Sequence, residues 1–120
     1  MTLKTGDIFW VNLDPALGDD ITKRRRVVIL NPGHAKHLKL AVVLPVTQWR
    51  PQWEDNPFFV ALRPTSLNGL EKESAVDCFQ IRVVSHERFM GKIGSVSQVD
   101  MDEMKRAVAL ILDIDPEHCL

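Results

Sequence analysis

An arginine and a threonine at the ends of two consecutive apolar runs are the residues of this chain best suited to chemistry. Residues 23–26 are Lys23, Arg24, Arg25 and Arg26, and they lead into an apolar run over 27–30. A loop over 31–39 follows, and a second apolar run over 40–46 ends at Thr47. If the two runs pair as strands, Arg25 and Thr47 are carried toward each other. A guanidinium clamps phosphoryl oxygens through paired N–H donors, and a threonine hydroxyl adds one further hydrogen bond. Attack of a ribose 2′-hydroxyl on its own phosphate needs chiefly that charge stabilisation and alignment, with no metal strictly required. Arg25 is a poor proton donor, because an arginine pKa lies above ~12. A strand-end arginine paired with Asp19 or Asp20 accounts for the same pattern by composition alone.

The elements that must position this pair read as a succession of short strands. Residues 7–13 alternate, with Phe9, Val11 and Leu13 on one face and Ile8 and Trp10 on the other, both at least partly buried. Pro15 and Gly18 break regularity in the next stretch, which reads as a loop over the following strand. In that strand a side-chain period of two sets Arg25 with Val27 and Ile29, and Arg24 and Arg26 with Val28 and Leu30. Asn31-Pro32-Gly33 ends it, and Pro45 is expected to bend or end the strand that resumes at Leu38.

Further along, residues 58–62 form a short strand, Asn68-Gly69 is a hairpin signal, and residues 75–85 read as one strand. That strand would carry Gln80 and Arg82 on one face, between Cys78 and Val84. Residues 86–90 read as a turn of helix and 93–97 as a last short strand. A C-terminal helix then starts with Asp100 as cap and Glu103 as its partner, buries Met101, Met104, Val108, Ile111 and Leu112, and stops before Pro116. Five or six strands and one helix make a mainly β, α+β fold: a small, strongly bent antiparallel sheet or part-closed barrel.

Two further groups could touch a ligand. Trp49, Arg50 and Trp53 place two large aromatics around a cation, which suits stacking on unpaired bases or, equally, a flap folded onto the domain or a second subunit. Gln80 and Arg82 could read bases or satisfy backbone groups at a barrel rim. His34 and His37 lack companion ligands at metal-binding spacing, and nothing brings them to His86 as an acid–base pair. Gly-rich phosphate loops, nucleophile elbows and Cys-x-x-Cys pairs are absent, so no cofactor is expected.

Composition narrows the partners. With 120 residues the chain suits a single domain over 1–120, and a formal net charge of −1 excludes a general nucleic-acid-coating surface, leaving only a local basic patch. The longest apolar run, 40–46, is far below the ~20 residues of a membrane span. With no apolar signal region and two unpaired-looking cysteines, Cys78 and Cys119, a soluble cytoplasmic protein is expected.

Gly6-Asp-Ile-Phe-Trp-Val-Asn-Leu-Asp-Pro15, Gly18-Asp-Asp-Ile-Thr-Lys-Arg-Arg25 and Val42-Val-Leu-Pro-Val-Thr47 together resemble the MazF/PemK/Kid family of toxin endoribonucleases. Asn68-Gly-Leu, Gln80-Ile-Arg82 and Ile93-Gly extend the resemblance from about Lys4 to Ile114. It implies a MazF/CcdB-like fold and a metal-independent, sequence-selective ribonuclease of a toxin–antitoxin pair. Such an enzyme cuts single-stranded RNA to 2′,3′-cyclic phosphate and 5′-hydroxyl ends. Its catalytic arginine falls on Arg25 and its threonine on Thr47, with Lys23, Arg24, Arg26, Trp49, Arg50, Trp53, Gln80 and Arg82 as RNA-binding candidates. The implied partners are a second copy, in a homodimer, and a cognate antitoxin with a flexible acidic tail.

Three positions depart from the family pattern. Arg26 follows Arg25 where a proline is usual, and Asp20 stands for the acid of the family's Gly-x-Glu loop. Phe79 occupies the place where some members have an aspartate, with Asp77 two residues earlier on what reads as the same face. Two other functions fit the same fold. A CcdB-like inhibitor of DNA gyrase would act through its C-terminal residues, but this chain ends Pro-Glu-His-Cys-Leu and lacks the Trp-Gly-Ile ending of that group. A catalytically silent RNA- or antitoxin-binding module is the third reading, given Phe79.

Overall fold

A computed structural model describes residues 2–13, 24–33 and 38–115. Seven strands form one antiparallel sheet: β1 (Asp7–Asn12), β2 (Arg24–Asn31), β3 (Leu40–Gln48), β4 (Phe59–Leu62), β5 (Ser74–Asp77), β6 (Arg82–Ser85) and β7 (Phe89–Ser95), followed by one helix, α1 (Gln98–Ile111). The strand path is β4-β5-β3-β2-β1-β7, with β6 added to β3 beside β5. The end strands β4 and β7 do not pair, so the sheet is bent but open, as the expected mainly β fold with a covering helix allows.

Alternation along the central strands sorts the core into two clusters. Ile8, Val28, Leu44, Val46 and Val76 face α1 and pack on Met101, Met104, Ala107 and Val108. Phe9, Val11, Val27, Ile29, Ala41 and Val43 face the other way and close with Val84 and Phe89 from β6 and β7. Both clusters draw on β1, β2 and β3, which explains why these strands are apolar on both sides. The edge-to-face contact of Phe9 with Phe89, centroids 5.5 Å apart, joins β7 to the second cluster.

Four local expectations are corrected. Pro45 does not end β3: it stands level with Val27 and falls between Val43, the last partner of β6, and Val46, the first partner of β5. On that side of β3 it has no partner, so a proline is accommodated where the strand passes from one neighbour to the next. Residues 75–85 are not one strand, because a 3-10 turn at Cys78–Gln80 separates β5 from β6. Cys78 accordingly joins the helix-side cluster and Val84 the opposite one, so they do not share a face.

The other two corrections concern the C-terminal third. A 3-10 turn, His86–Arg88, does follow β6, but the last strand already begins at Phe89 and is longer than expected. The cap of α1 is Ser97, whose Oγ accepts the Asp100 N–H at 3.1 Å. Ser-x-x-Asp is a capping pattern one turn earlier than the one centred on Asp100, and it keeps Met101 inside the helix. Leu112 is the C-terminal cap and 49% exposed, off the apolar stripe, while Pro116 lies outside the described residues.

Asn68-Gly69 does sit in the β4–β5 hairpin, within a connection that runs over 63–73. Asn68 is buried and organises that loop: Oδ1 accepts the N–H groups of Thr65 and Leu70, each at 3.0 Å, and Nδ2 donates to the Arg63 carbonyl at 2.8 Å. The loop lies against β7, where the Ser95 N–H reaches the Leu67 carbonyl at 3.0 Å. A Cβ on Gly94 would overlap the backbone of Asn68, whereas one on Gly91 meets nothing within 4 Å. Gly94→Ala is therefore expected to lower stability by roughly 1–3 kcal/mol through overpacking. Gly91→Ala should stay within about 0.5 kcal/mol of wild type, and urea midpoints of the two variants compare them directly.

Candidate active site

The β2–β3 register sets the site. Arg26 is level with Val46 and Val27 with Pro45, and Arg25 and Thr47 are the next residues of their strands beyond that last pair. Residues directly opposite in an antiparallel pair share a face. That face belongs to Val27, Ile29 and Val43, away from the helix. Arg25 also lies opposite Val11 on β1, and Thr47 lies opposite Ala75 on β5. Arg25 is exposed and Thr47 half-buried. The Arg25 guanidinium donates to the carbonyl of Arg24 at 2.9 Å. Asp19 and Asp20, its alternative partners from sequence, lie outside the described residues, as does Lys23.

Arg82 is brought to the same face. It stands level with Val43 in the β3–β6 register, and its strand neighbour Val84 packs in the same cluster as Val43. Arg82 is exposed, as is Gln80 at the end of the 3-10 turn. Arg25, Thr47 and Arg82 thus form a polar rim around an apolar patch on one side of the sheet, with two of three groups cationic. Such a rim suits a phosphate-bearing ligand.

Arg24 and Arg26 take the opposite face, as period-two alternation requires. The Arg24 guanidinium lies 4.1 Å from the centroid of the Trp10 ring. Arg26 is half-buried beside Gln48, Lys72 and Ser74, and burial pulls its pKa below the usual arginine value. The four-cation run is therefore divided between two surfaces.

Trp49 is half-buried, with its N–H on the Glu73 carbonyl at 3.1 Å. Pro51–Trp53 form a 3-10 turn that lays Trp53 on Phe59, centroids 4.5 Å apart and rings inclined by 5°. The Arg50 guanidinium stands 5.9 Å from the Trp53 centroid. One face of Trp53 is thus taken by its own domain.

Asp77 does not stand as a free carboxylate in place of Phe79. Its Oδ1 accepts the Phe79 N–H at 3.1 Å and caps the 3-10 turn. Cys78 is fully buried, and burial, then the Asp77 charge, push its thiol up to about 12, so it is no nucleophile at neutral pH. His86 Nε2 lies 3.1 Å from the Pro32 carbonyl, while His34 and His37 lie outside the described residues. No cluster of three or more His, Cys, Asp or Glu occurs among the described residues.

Two further side-chain contacts were not expected from the sequence. Arg88 donates to the Asn12 carbonyl at 3.2 Å, adding a cation where β1 ends beside β2. Phe58 packs on Phe79, centroids 5.4 Å apart. Neither had a signal in the sequence, since each depends on a contact between distant segments.

The description of PemK-like, MazF-like toxins of type II toxin–antitoxin systems matches residues 4–112. The chain belongs to that family. Among its relatives is Endoribonuclease MazF9 of Mycobacterium tuberculosis, 30% identical over 118 residues, covering 93% of this chain and 98% of the relative. Solved structures share the fold. Mycobacterium tuberculosis toxin MazF-mt6 gives a TM-score of 0.70 at 22% identity over 91% of this chain and 98% of that one. The MazF in a MazE–MazF crystal structure from Deinococcus radiodurans gives 0.73 at 19% identity over 96% and 99%.

Within this toxin domain, Asp77→Ala is expected to lose the turn cap and cost about 1 kcal/mol. Asp77→Asn keeps an acceptor oxygen and should remain near wild type, a contrast that chemical unfolding can read.

Proposed function

We propose that this toxin is a sequence-selective endoribonuclease that cuts single-stranded RNA, using Arg25 and Thr47 on one face of the sheet. The observation that supports the reading is the β2–β3 register, which ends at Arg26 and Val46, so that Arg25 and Thr47 follow on the face of Val27 and Val43 that also bears Arg82. A relative that is 30% identical and named an endoribonuclease supports it.

In the proposed reaction the 2′-oxygen of a ribose attacks the adjacent phosphorus as its proton passes to solvent water. The phosphorus–O5′ bond breaks, and the departing oxygen takes up a proton from water, leaving a 2′,3′-cyclic phosphate and a 5′-hydroxyl with no net change in protons. Arg25 neutralises the charge that builds on the non-bridging oxygens, and the Thr47 hydroxyl donates to one of them. These donors are worth more in the transition state, where that charge is greatest, than in the ground state. The reaction so written balances without a metal or cofactor.

Lys23, Arg24, Arg26, Trp49, Arg50, Trp53, Gln80 and Arg82 are proposed to contribute RNA contacts. For Arg24 and Arg26 this requires the strand to pass around the sheet end, because they lie on the far face. The toxin is proposed to act in the cytoplasm as a homodimer and to be blocked by a cognate antitoxin. A structural neighbour solved as an endoribonuclease in complex with its cognate antitoxin, from mycobacterial species, supports the last of these. An acidic flexible tail would be accepted by the Arg25 and Arg82 surface for the same electrostatic reasons as RNA.

Incubation with a long single-stranded RNA in EDTA, with fragment ends mapped by primer extension, tests the chemistry. Wild type should cut at discrete sites. Arg25→Ala should lose at least about a thousand-fold in rate, with an unchanged circular dichroism spectrum. Thr47→Ala should lose about ten- to a hundred-fold, mostly in kcat rather than KM. Undiminished cutting by the Arg25 variant would overturn the assignment.

A further inference from the structure

We infer that Phe79 is a base-stacking residue that helps select where the RNA is cut, an inference that rests on the ribonuclease reading above. Phe79 is 60% exposed, yet the chain around it is held firmly. Its N–H is taken by Asp77 at 3.1 Å. The next residue back, Cys78, is fully buried, and its N–H reaches the Phe58 carbonyl at 2.9 Å. The Phe79 ring leans on that of Phe58, inclined by 47°. An aromatic ring set outward from an anchored turn presents a π surface at little further cost in ordering. Trp53 differs, since Phe59 already covers one of its faces.

The turn also lies beside the proposed reacting groups. β5 last pairs with β3 at Val46, and β6 joins it at Val43, so the bridging residues 77–81 run past Leu44 and Pro45. This is two or three residues along β3 from Thr47, roughly 7–10 Å at the rise of a strand. The turn packs Cys78 toward α1, the side opposite Arg25 and Thr47, so an RNA strand with one phosphate at that pair would bring a neighbouring base to Phe79 around the edge of the sheet where β6 pairs only with β3. Single-stranded RNA offers exposed bases, and aromatic side chains bind them by stacking. The flanks favour a base over a second copy of the chain. Gln80 and Arg82 are both exposed, giving an amide able to read a base edge and a cation for a phosphate beside the exposed Val83, a border more polar than the core of a subunit contact.

The test uses the full chain. Cleavage of a defined oligonucleotide is measured for wild type, Phe79→Ala, Phe79→Leu and Phe79→Trp. Binding is read separately with single 2-aminopurine substitutions along the oligonucleotide, in the Arg25→Ala background. The inference expects KM to rise roughly ten- to a hundred-fold in both the alanine and leucine variants, with kcat little changed. It also expects relaxed preference at one base next to the cut, recovery with tryptophan, and fluorescence quenching at one position that vanishes without the ring. The leucine variant keeps the apolar packing on Phe58, so its loss reports the π surface rather than the fold. Unchanged KM and cut sites in the leucine variant would overturn the inference while leaving the ribonuclease reading intact. A change in molar mass by light scattering in that variant would overturn it in favour of a subunit contact. Wild type that neither cuts nor binds RNA would remove the ribonuclease reading and this inference together.

Discussion

A strand buried on both faces cannot slip by one residue against its neighbour, because a slip would exchange every side chain between two different apolar environments. β2 is such a strand, with Val28 packed toward α1 and Val27 and Ile29 packed toward Phe9 and Val43. Its register with β3 is thereby pinned, and the residues just beyond the buried stretch inherit the alignment. Arg25 and Thr47 are those residues. Their alignment follows from core packing several residues away, at the end of the buried stretch where Arg25 is exposed and Thr47 half-buried.

The same alternation limits what the basic run can do. Consecutive residues of a strand point to opposite sides, so Lys23 to Arg26 cannot act as one cationic patch once Arg24 begins β2. Arg24 spends its charge over the Trp10 ring, and Arg26 enters a half-buried polar recess. Arg25 gains its counterpart from across the sheet instead, in Arg82 on β6. The division suits a protein with net charge −1, whose attraction for a polyanion has to be concentrated locally.

Asn68-Gly69 and Ile93-Gly94 illustrate how motif fragments far apart in sequence become one structure. Asn68-Gly69 reads as a hairpin signal, and Ile93-Gly94 as part of a strand. In the fold each needs the other, since the backbone at Asn68 fills the space that a side chain on Gly94 would occupy. The contact holds the β4–β5 connection against β7, and so ties the far end of the sheet path to the loop beside β5.

From sequence alone, the order of most strands, the single C-terminal helix, and the alternation that sets Arg25 with Val27 and Ile29 were determined. Each rests on local periodicity, which neighbouring residues encode directly. The resemblance to the toxin family was likewise legible, as a series of short matches in the right order. Tertiary structure decided the rest. The break of 75–85 into β5, a turn and β6 arises because β3 takes two partners in succession, a fact no local pattern carries. It moves Cys78 and Val84 to opposite cores, makes Asp77 a cap, turns Phe79 outward against Phe58, and brings Arg82 to the face of Arg25. Side-chain alternation is a local rule, but which strand lies alongside, and for how long, is settled only when distant segments compete for the same edge.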